Sequence, residues 1–274
     1  MADIKMLTEK ATQLRKDIVM MINKAKSGHP GGSLSAADIV STLYFHEMNI
    51  DPKNPKMEDR DRFVLSKGHA APVLYAALAE KGYFDKELLK TLRQFGSPLQ
   101  GHPDMKKLPG VDISTGSLGQ GLSVANGMAL SAKLDNKSYR TYVLLGDGEV
   151  QEGQVWEAAM TSAHYKLDNI CAFLDSNNLQ IDGVVEKVMG VEPLDKKWEA
   201  FGWNVIKIDA HNFEEILGAL EAAKSHKGQP TMIIAKSIKG KGVSFMENVA
   251  GFHGMAPTNE ETEIAMKELN GEAK

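Results

Sequence analysis

Apolar residues along this chain recur in two rhythms. Leu7, Ala11, Leu14, Ile18, Met21, Ile22 and Ala25 follow helical spacing and predict an amphipathic first helix. It ends at Lys26-Ser27-Gly28-His29-Pro30-Gly31-Gly32, because glycine and proline there cannot continue it. Ser35 with Asp38 resembles a capping box and opens the next helix, to about His46. Short, nearly unbroken apolar runs predict buried strands at Arg62–Leu65, Thr141–Leu145, Asn169–Leu174, Trp203–Ile208 and Thr231–Ala235, with a weaker one at Val111–Ile113. Between and after them, helical patterns cover Val73, Leu74, Leu78 and Ala79, then Lys86–Leu92, Leu122–Lys133, about Gln151–Lys166, Phe213–Ala223 and roughly Asn259–Leu269. Loops fall at Asp51–Lys56, Gly96–Gly110 and Lys239–Pro257. Alternating strands and helices predict one α/β domain over residues 1–274: three layers, a mostly parallel sheet with helices on both faces.

Composition narrows the function classes. The chain has 274 residues, 42% hydrophobic and 25% charged, as in ordinary globular proteins. A net charge of −4 argues against a dedicated nucleic-acid or anionic-membrane surface. The single cysteine, Cys171, falls inside a predicted strand, so no internal disulfide can form. MADIKMLTEK lacks an apolar signal core and no stretch reaches the ~18 apolar residues of a membrane span, which reads as cytoplasmic.

The chemistry concentrates in Thr141–Gly183. Its strand–helix–strand order makes a βαβ unit whose strands end in Gly146-Asp147-Gly148 and Asp175-Ser176-Asn177-Asn178. Both polar ends therefore reach the carboxyl edge of a parallel sheet, where open α/β folds bind ligands. Asp147 offers a hard carboxylate and Asn177 a neutral amide oxygen, a donor pair suited to Mg2+ or Ca2+ that completes its shell with phosphate oxygens, water or a backbone carbonyl. Gly146 and Gly148 let a diphosphate approach the backbone. The glycine-rich turn Thr115–Gly121 is spaced GxxGxG and is no dinucleotide fingerprint, and no GxxxxGK(S/T) P-loop exists.

Of eight histidines, His46, His164, His211 and His226 lie in or beside helices and read as structural or solvated. The others occupy glycine-rich loops: Gly28-His29-Pro30, Gly68-His69-Ala70, Gly101-His102-Pro103 and Phe252-His253-Gly254. Histidine supplies hydrogen bonds and protons near neutral pH, as carbonyl and hydroxyl chemistry requires. A zinc cluster is disfavoured, since no short His-x-x-x-His spacing exists and the cysteine lies in a strand.

Gly146-Asp147-Gly148 followed by Asn177-Asn178 resembles the thiamine diphosphate signature, and the stretch from about Leu7 to Pro257 resembles the N-terminal, diphosphate-binding domain of transketolases. The resemblance implies a thiamine diphosphate-binding fold (PP domain), with Asp147, Asn177 and the Leu179 carbonyl holding the metal and Gly148 donating its N–H to the diphosphate. It implies that His69 and His253 contact the diphosphate end, and that His29, His102 and His253 face the ketose hydroxyls and donor carbonyl as catalytic groups. Gly116-Ser117-Leu118 matches a turn that usually reads Gly-Pro-Leu and supports the cofactor rings. Glu152 and Glu157 match carboxylates thought to relay protons between active sites; Glu157 reads equally as an ordinary acidic helix residue.

Transketolases continue into a pyrimidine-binding domain, which brings the activating glutamate, and a C-terminal domain; nothing after Pro257 resembles either. The resemblance therefore implies a split enzyme, with this chain as its N-terminal half, the rest supplied by a partner chain, and an α2β2 heterotetramer as the assembly. The implied reaction is transfer of a two-carbon ketol unit from xylulose 5-phosphate to ribose 5-phosphate in the pentose phosphate pathway. Rival readings are a split transketolase for another sugar such as a sulfo-sugar, a 1-deoxyxylulose-5-phosphate synthase-like enzyme, a 2-oxoacid dehydrogenase α chain, and a non-catalytic cofactor-binding subunit. The Ser66–His69 and Gly101–Pro103 motifs favour transketolase over the synthase.

Overall fold

A computed structural model describes residues 2–272. The first helix, α1 (Ile4–Ala25), is capped by the Asp3 side chain and closes in a left-handed turn at Lys26. Two short helices, α2 (Pro30–Ser35) and α3 (Ala37–Thr42), follow, the latter running into a π-helical turn at Leu43–Glu47. Strand β1 (Arg62–Leu65) leads through a 3-10 turn to α4 (Ala71–Lys81), and a long loop then reaches α5 (Gly121–Leu134). The central unit is β2 (Thr141–Gly146), α6 (Gly153–His164) and β3 (Ile170–Ser176). A small hairpin, β4 (Leu179–Gln180) and β5 (Gly183–Val184), precedes α7 (Val185–Met189) and α8 (Leu194–Ala200). The chain finishes with β6 (Asn204–Asp209), α9 (Phe213–Ser225), β7 (Thr231–Lys236) and α10 (Asn259–Leu269).

The main sheet has order β1-β2-β3-β7-β6 and every pairing is parallel. Its strands alternate between two cores, as a sheet covered on both faces requires. Tyr142, Leu144, Cys171 and Phe173 pack with α1, α3, α4 and α9; Val143, Leu145, Ala172 and Leu174 pack with α5, α6 and α8. The predicted three-layer architecture is thus observed. Neighbouring strands send their connections to opposite faces: β1 continues to α4 on one side and β2 to α6 on the other. Such divergence opens a crevice at the carboxyl edge.

Several local expectations are corrected. Ser35 and Asp38 form no capping box: α3 starts after Ala36 without a side-chain cap, because Ser35 and Asp38 both commit their side chains to buried polar partners. Val111–Ile113 is irregular, Lys86–Thr91 is 3-10, and the helix expected from Gln151 begins at Gly153 after a 3-10 turn at Glu149–Gln151. A true capping box occurs at Thr258 and Glu261, opening α10.

Candidate cofactor site

Register brings the strand ends together. Gly146 pairs with Asp175 and Ser176 with Lys236, so Asp147, Asn177 and Ser237 leave adjacent strands at one level. Asp147 and Asn177 border a cavity of about 360 Å3. His29, His69, His102, His253, Gly116, Leu118, Gly146, Gly148, Glu152 and Leu179 line it with them, so the sequence-predicted positions converge. Two do not. Ser117 is outside the cavity wall, and Glu157 projects from the exposed side of α6.

Four histidines from four separate loops meet here. The His29 ring lies 5.4 Å from His69, 5.4 Å from His253 and 6.3 Å from His102, and His69 lies 4.9 Å from His253, centroid to centroid. Each is held neutral. Burial pushes His29 down to about 4 and His69 to about 2, helped by the Arg93 and Lys67 cations respectively. Burial and the Lys239 ammonium push His253 down to about 3, and burial with Arg93 lowers His102. Among the described residues no group of three or more His, Cys, Asp or Glu side chains is disposed to hold a metal ion.

Beneath the histidines lies a buried charged network that sequence reasoning missed. Lys67, 1% exposed, donates to Gly32 O at 2.8 Å and to the Asp175 carboxylate. Asp175, fully buried, also accepts from Ser35 Oγ at 2.6 Å, from Ser237 Oγ, and from Asn177 Nδ2 at 3.2 Å. Burial alone would raise the Asp175 pKa, but Lys67 and these hydroxyls outweigh it and hold the carboxylate ionised. A carboxylate only accepts, so Asn177 must turn its NH2 toward Asp175 and keep Oδ1 on the other side. Lys239 Nζ contacts Leu179 O at 2.9 Å and His253 Nδ1 at 3.0 Å, and burial pushes it down to about 8. The available signal was modest: Lys67 stands inside the strand-end motif Ser66–His69, and Lys239 opens the loop after the last strand.

Glu149 ties the cradle together. Its carboxylate accepts from Ser66 Oγ at 2.5 Å, Gly119 N at 3.0 Å and Gly146 N at 3.0 Å, so one buried side chain clamps the ends of β1 and β2 to the glycine-rich turn. Gly68 completes that contact, since a Cβ there would lie 2.7 Å from Gly116 N.

The donor set fits a hard divalent cation bound to a diphosphate. Asp147 is 4% exposed, and burial together with the nearby Asp175 charge lifts its pKa to about 6: it is a carboxylate short of a positive partner. It accepts N–H bonds from Gly148, at 2.8 Å, and from Asn178. The Leu179 carbonyl, expected as a metal ligand, already receives an ammonium, so a positive group is accommodated at that position. Lys67, Lys239 and the donor-bearing histidines around it suit phosphate oxygens. A larger open groove of about 980 Å3 touches Asp147 and Asn178 on the β6 side but contains none of the four clustered histidines.

Comparisons with known proteins agree with this geometry. The family described as "Transketolase, thiamine diphosphate binding domain" matches residues 7–273. The chain is 49% identical over 266 residues to the 6-deoxy-6-sulfo-D-fructose transketolase subunit of Clostridium sp. (strain MSTE9), covering 97% of each. It is 45% identical to an apulose-4-phosphate transketolase subunit of Phocaeicola vulgatus, covering 93% of this chain and 91% of that one. Against the crystal structure of Campylobacter jejuni transketolase it superposes with TM-score 0.93 at 39% identity, over 98% of this chain and 43% of that protein, so it spans under half of that enzyme. Among the described residues no helix is long and apolar enough to cross a membrane. The chain belongs to the transketolase family, as its thiamine diphosphate-binding domain.

Proposed function

We propose that this chain is the diphosphate-binding subunit of a two-chain transketolase, working with a partner that carries the pyrimidine and C-terminal domains in an α2β2 assembly. Two relatives of similar length are named as transketolase subunits, which supports the two-chain reading. The observation that carries the catalytic reading is the convergence of four neutral histidines over a buried Lys67–Asp175 pair and the Asp147–Asn177 oxygen donors. A cofactor-binding scaffold without chemistry would not need the histidines.

Bound here, thiamine diphosphate supplies the nucleophilic carbon that carries a two-carbon ketol unit from a ketose to an aldose. The chain's own residues hold and orient. Asp147, Asn177 Oδ1 and the Leu179 carbonyl hold Mg2+ or Ca2+; Lys67, Lys239, His69 and His253 face the diphosphate; Gly116 and Leu118 border the cofactor rings. His29, His102 and His253 present ring nitrogens to the substrate's oxygens, and Glu152, which lines the same cavity, passes protons toward a second active site.

The sugar is where this reading departs from the pentose phosphates that the family resemblance first suggested. Subunit-length relatives are named for 6-deoxy-6-sulfo-D-fructose and apulose 4-phosphate. We infer a ketose other than xylulose 5-phosphate, with an anionic terminus. Mixing this chain with its partner, thiamine diphosphate and Mg2+ tests this. Turnover of sulfofructose or apulose 4-phosphate above that of xylulose 5-phosphate is expected. Preference for xylulose 5-phosphate would restore the pentose reading, formation of 1-deoxyxylulose 5-phosphate and CO2 from pyruvate and glyceraldehyde 3-phosphate would restore the synthase, and full activity without the partner would overturn the two-chain reading.

A further inference from the structure

Arg93 belongs to none of the residues assigned above, yet four constraints aim it at the histidine cluster. Its backbone takes a left-handed conformation, φ 58°, and its N–H donates to Leu99 O at 2.8 Å, which folds the loop back on itself. The guanidinium then lies across Gly101, where a Cβ would sit 3.0 Å from Cζ. One terminal nitrogen donates to Ser27 Oγ at 3.0 Å. The other lies 3.3 Å from His29 Nδ1.

A guanidinium has donors only and keeps its charge at any physiological pH, so Nδ1 of His29 must be the acceptor. The single proton of a neutral imidazole is then on Nε2. The charged and titratable groups around His29 leave no competing arrangement. Arg93, His102 and Lys239 all disfavour a positive ring, and His69 and His253 complete its surroundings without a carboxylate. His29 Nε2 has no hydrogen-bond partner among the described residues and belongs to a ring that lines the cavity.

We propose that Arg93 is a positioning residue that fixes His29 as its neutral Nε2–H tautomer, so that His29 meets the substrate as a hydrogen-bond donor and not as a base. The substrate half of this statement rests on the transketolase reading; the tautomer half does not. A donor that cannot lose its role at neutral pH suits a carbonyl oxygen on which negative charge develops, whereas a mixture of tautomers would present a lone pair there part of the time.

The test begins with the full chain labelled with 15N-histidine, its His29 signals assigned by their loss in His29→Asn. Long-range 1H–15N spectra between pH 6 and 8 should show one tautomer, protonated at Nε2. Arg93→Met should convert it to a mixture, while the other histidine signals stay in place and report an intact fold. Arg93→Lys, which keeps a donor-only cation, should retain the Nε2–H form. With the partner chain and sugar present, Arg93→Met should lower kcat by about tenfold with KM little changed, the size of one lost hydrogen bond at the reacting atoms. A wild-type spectrum showing Nδ1–H, or an unchanged tautomer in Arg93→Met, overturns the proposal even if that variant proves unstable, since the wild-type spectrum decides alone. A wild-type Nε2–H spectrum in a chain without transketolase turnover would instead overturn the proposed function and leave the tautomer assignment standing.

Discussion

Arg15, Asp38 and His211 make one buried ionic cluster, and Lys67, Asp175, Asp147 and Lys239 make another, and the two are assembled on opposite rules. In the first, Arg15 grips both Asp38 oxygens, at 2.9 and 2.6 Å, and His211 Nδ1 reaches the same carboxylate at 2.7 Å. His211 Nε2 accepts from Ile238 N at 2.9 Å, which makes Nδ1 the donor and closes the set. Burial would raise the Asp38 pKa, but Arg15 and His211 outweigh it and hold it at about 2. Apart from Arg15 Nε, which has no hydrogen-bond partner among the described residues, the set is paired internally. In the second cluster only Lys67 and Asp175 neutralise each other. Asp147 is pushed up, Lys239 down, and three histidines are held far below their ordinary range. A fold tolerates such frustration where a ligand relieves it. The closed cluster ties α1, α3 and the loop after β6 together; the open one suits an anion and a cation at once.

Substitution of Asp147 should separate the two most sharply. Asp147→Asn should weaken Mg2+-dependent thiamine diphosphate binding on the order of a hundredfold or more, read by calorimetry. The same variant should lose no thermal stability without added cofactor, because the buried negative charge is uncompensated there. Wild-type affinity in this variant would remove Asp147 from the metal site.

Next in size is the closed cluster. Asp38→Asn leaves the Arg15 guanidinium buried with half its pairing, and should cost about 3 kcal/mol in urea unfolding. Cofactor affinity, measured well below the unfolding transition, should be unchanged. A large affinity loss with stability intact would dissolve the distinction drawn between the clusters.

Acidification should act through the histidines. Unfolded imidazoles take up protons below about pH 6.5, whereas His29, His253 and His69 in the folded chain do so only near 4, 3 and 2. Their contribution to stability is therefore expected to fall from pH 6.5 toward 4, because at these three positions the unfolded state binds more protons throughout that window. Asp147 opposes this: between about 4 and 6 the folded chain holds a proton that the unfolded one lacks, so its contribution rises as pH falls. Burial raises Asp17, Asp61 and Glu149 as well, so the histidine contribution is isolated by comparing His69→Gln with the wild type. Chemical denaturation at pH 7 and pH 5 measures the slope for both proteins, and His69→Gln should lose less stability than the wild type on acidification; an unchanged slope would contradict the neutral-histidine cluster.

The smallest effect is expected at Glu157, exposed on α6. Glu157→Gln should change the stability of the isolated chain by no more than about 0.5 kcal/mol and leave cofactor affinity alone. Any role in proton relay should then show only in the kinetics of the assembled enzyme. A loss of stability in the isolated chain would show that the carboxylate serves the helix instead.

Much of this was legible in the chain. Nearly unbroken apolar runs marked all five strands of the main sheet, since a parallel sheet covered on both faces buries its inner strands; the burial expected of Trp203–Ile208 is only partial, because β6 is an edge strand that leaves Lys207 and Asp209 exposed. Gly146-Asp147-Gly148 and Asn177 were readable because strand ends in such a sheet are forced to one edge. Short-range signals did less well. Ser35 and Asp38 had the spacing of a helix cap but were claimed by Asp175 and by Arg15, because answering a buried charge outweighs a local cap worth about 1 kcal/mol. Val111–Ile113 had strand composition without a neighbouring strand to pair with.

By itself, then, the sequence determined the layers, the strand ends, the glycines at the cofactor edge and the four loop histidines, all of which follow from burial and backbone freedom within a few residues. Only the tertiary structure decided which charges meet. Lys67 finds Asp175, and Arg93 finds His29, across long stretches of chain, and Glu149 clamps three segments that no local pattern joins. A charge inside a protein must be answered by whatever the packing of distant elements brings beside it, and that pairing is a property of the folded sheet edge, not of any run of residues.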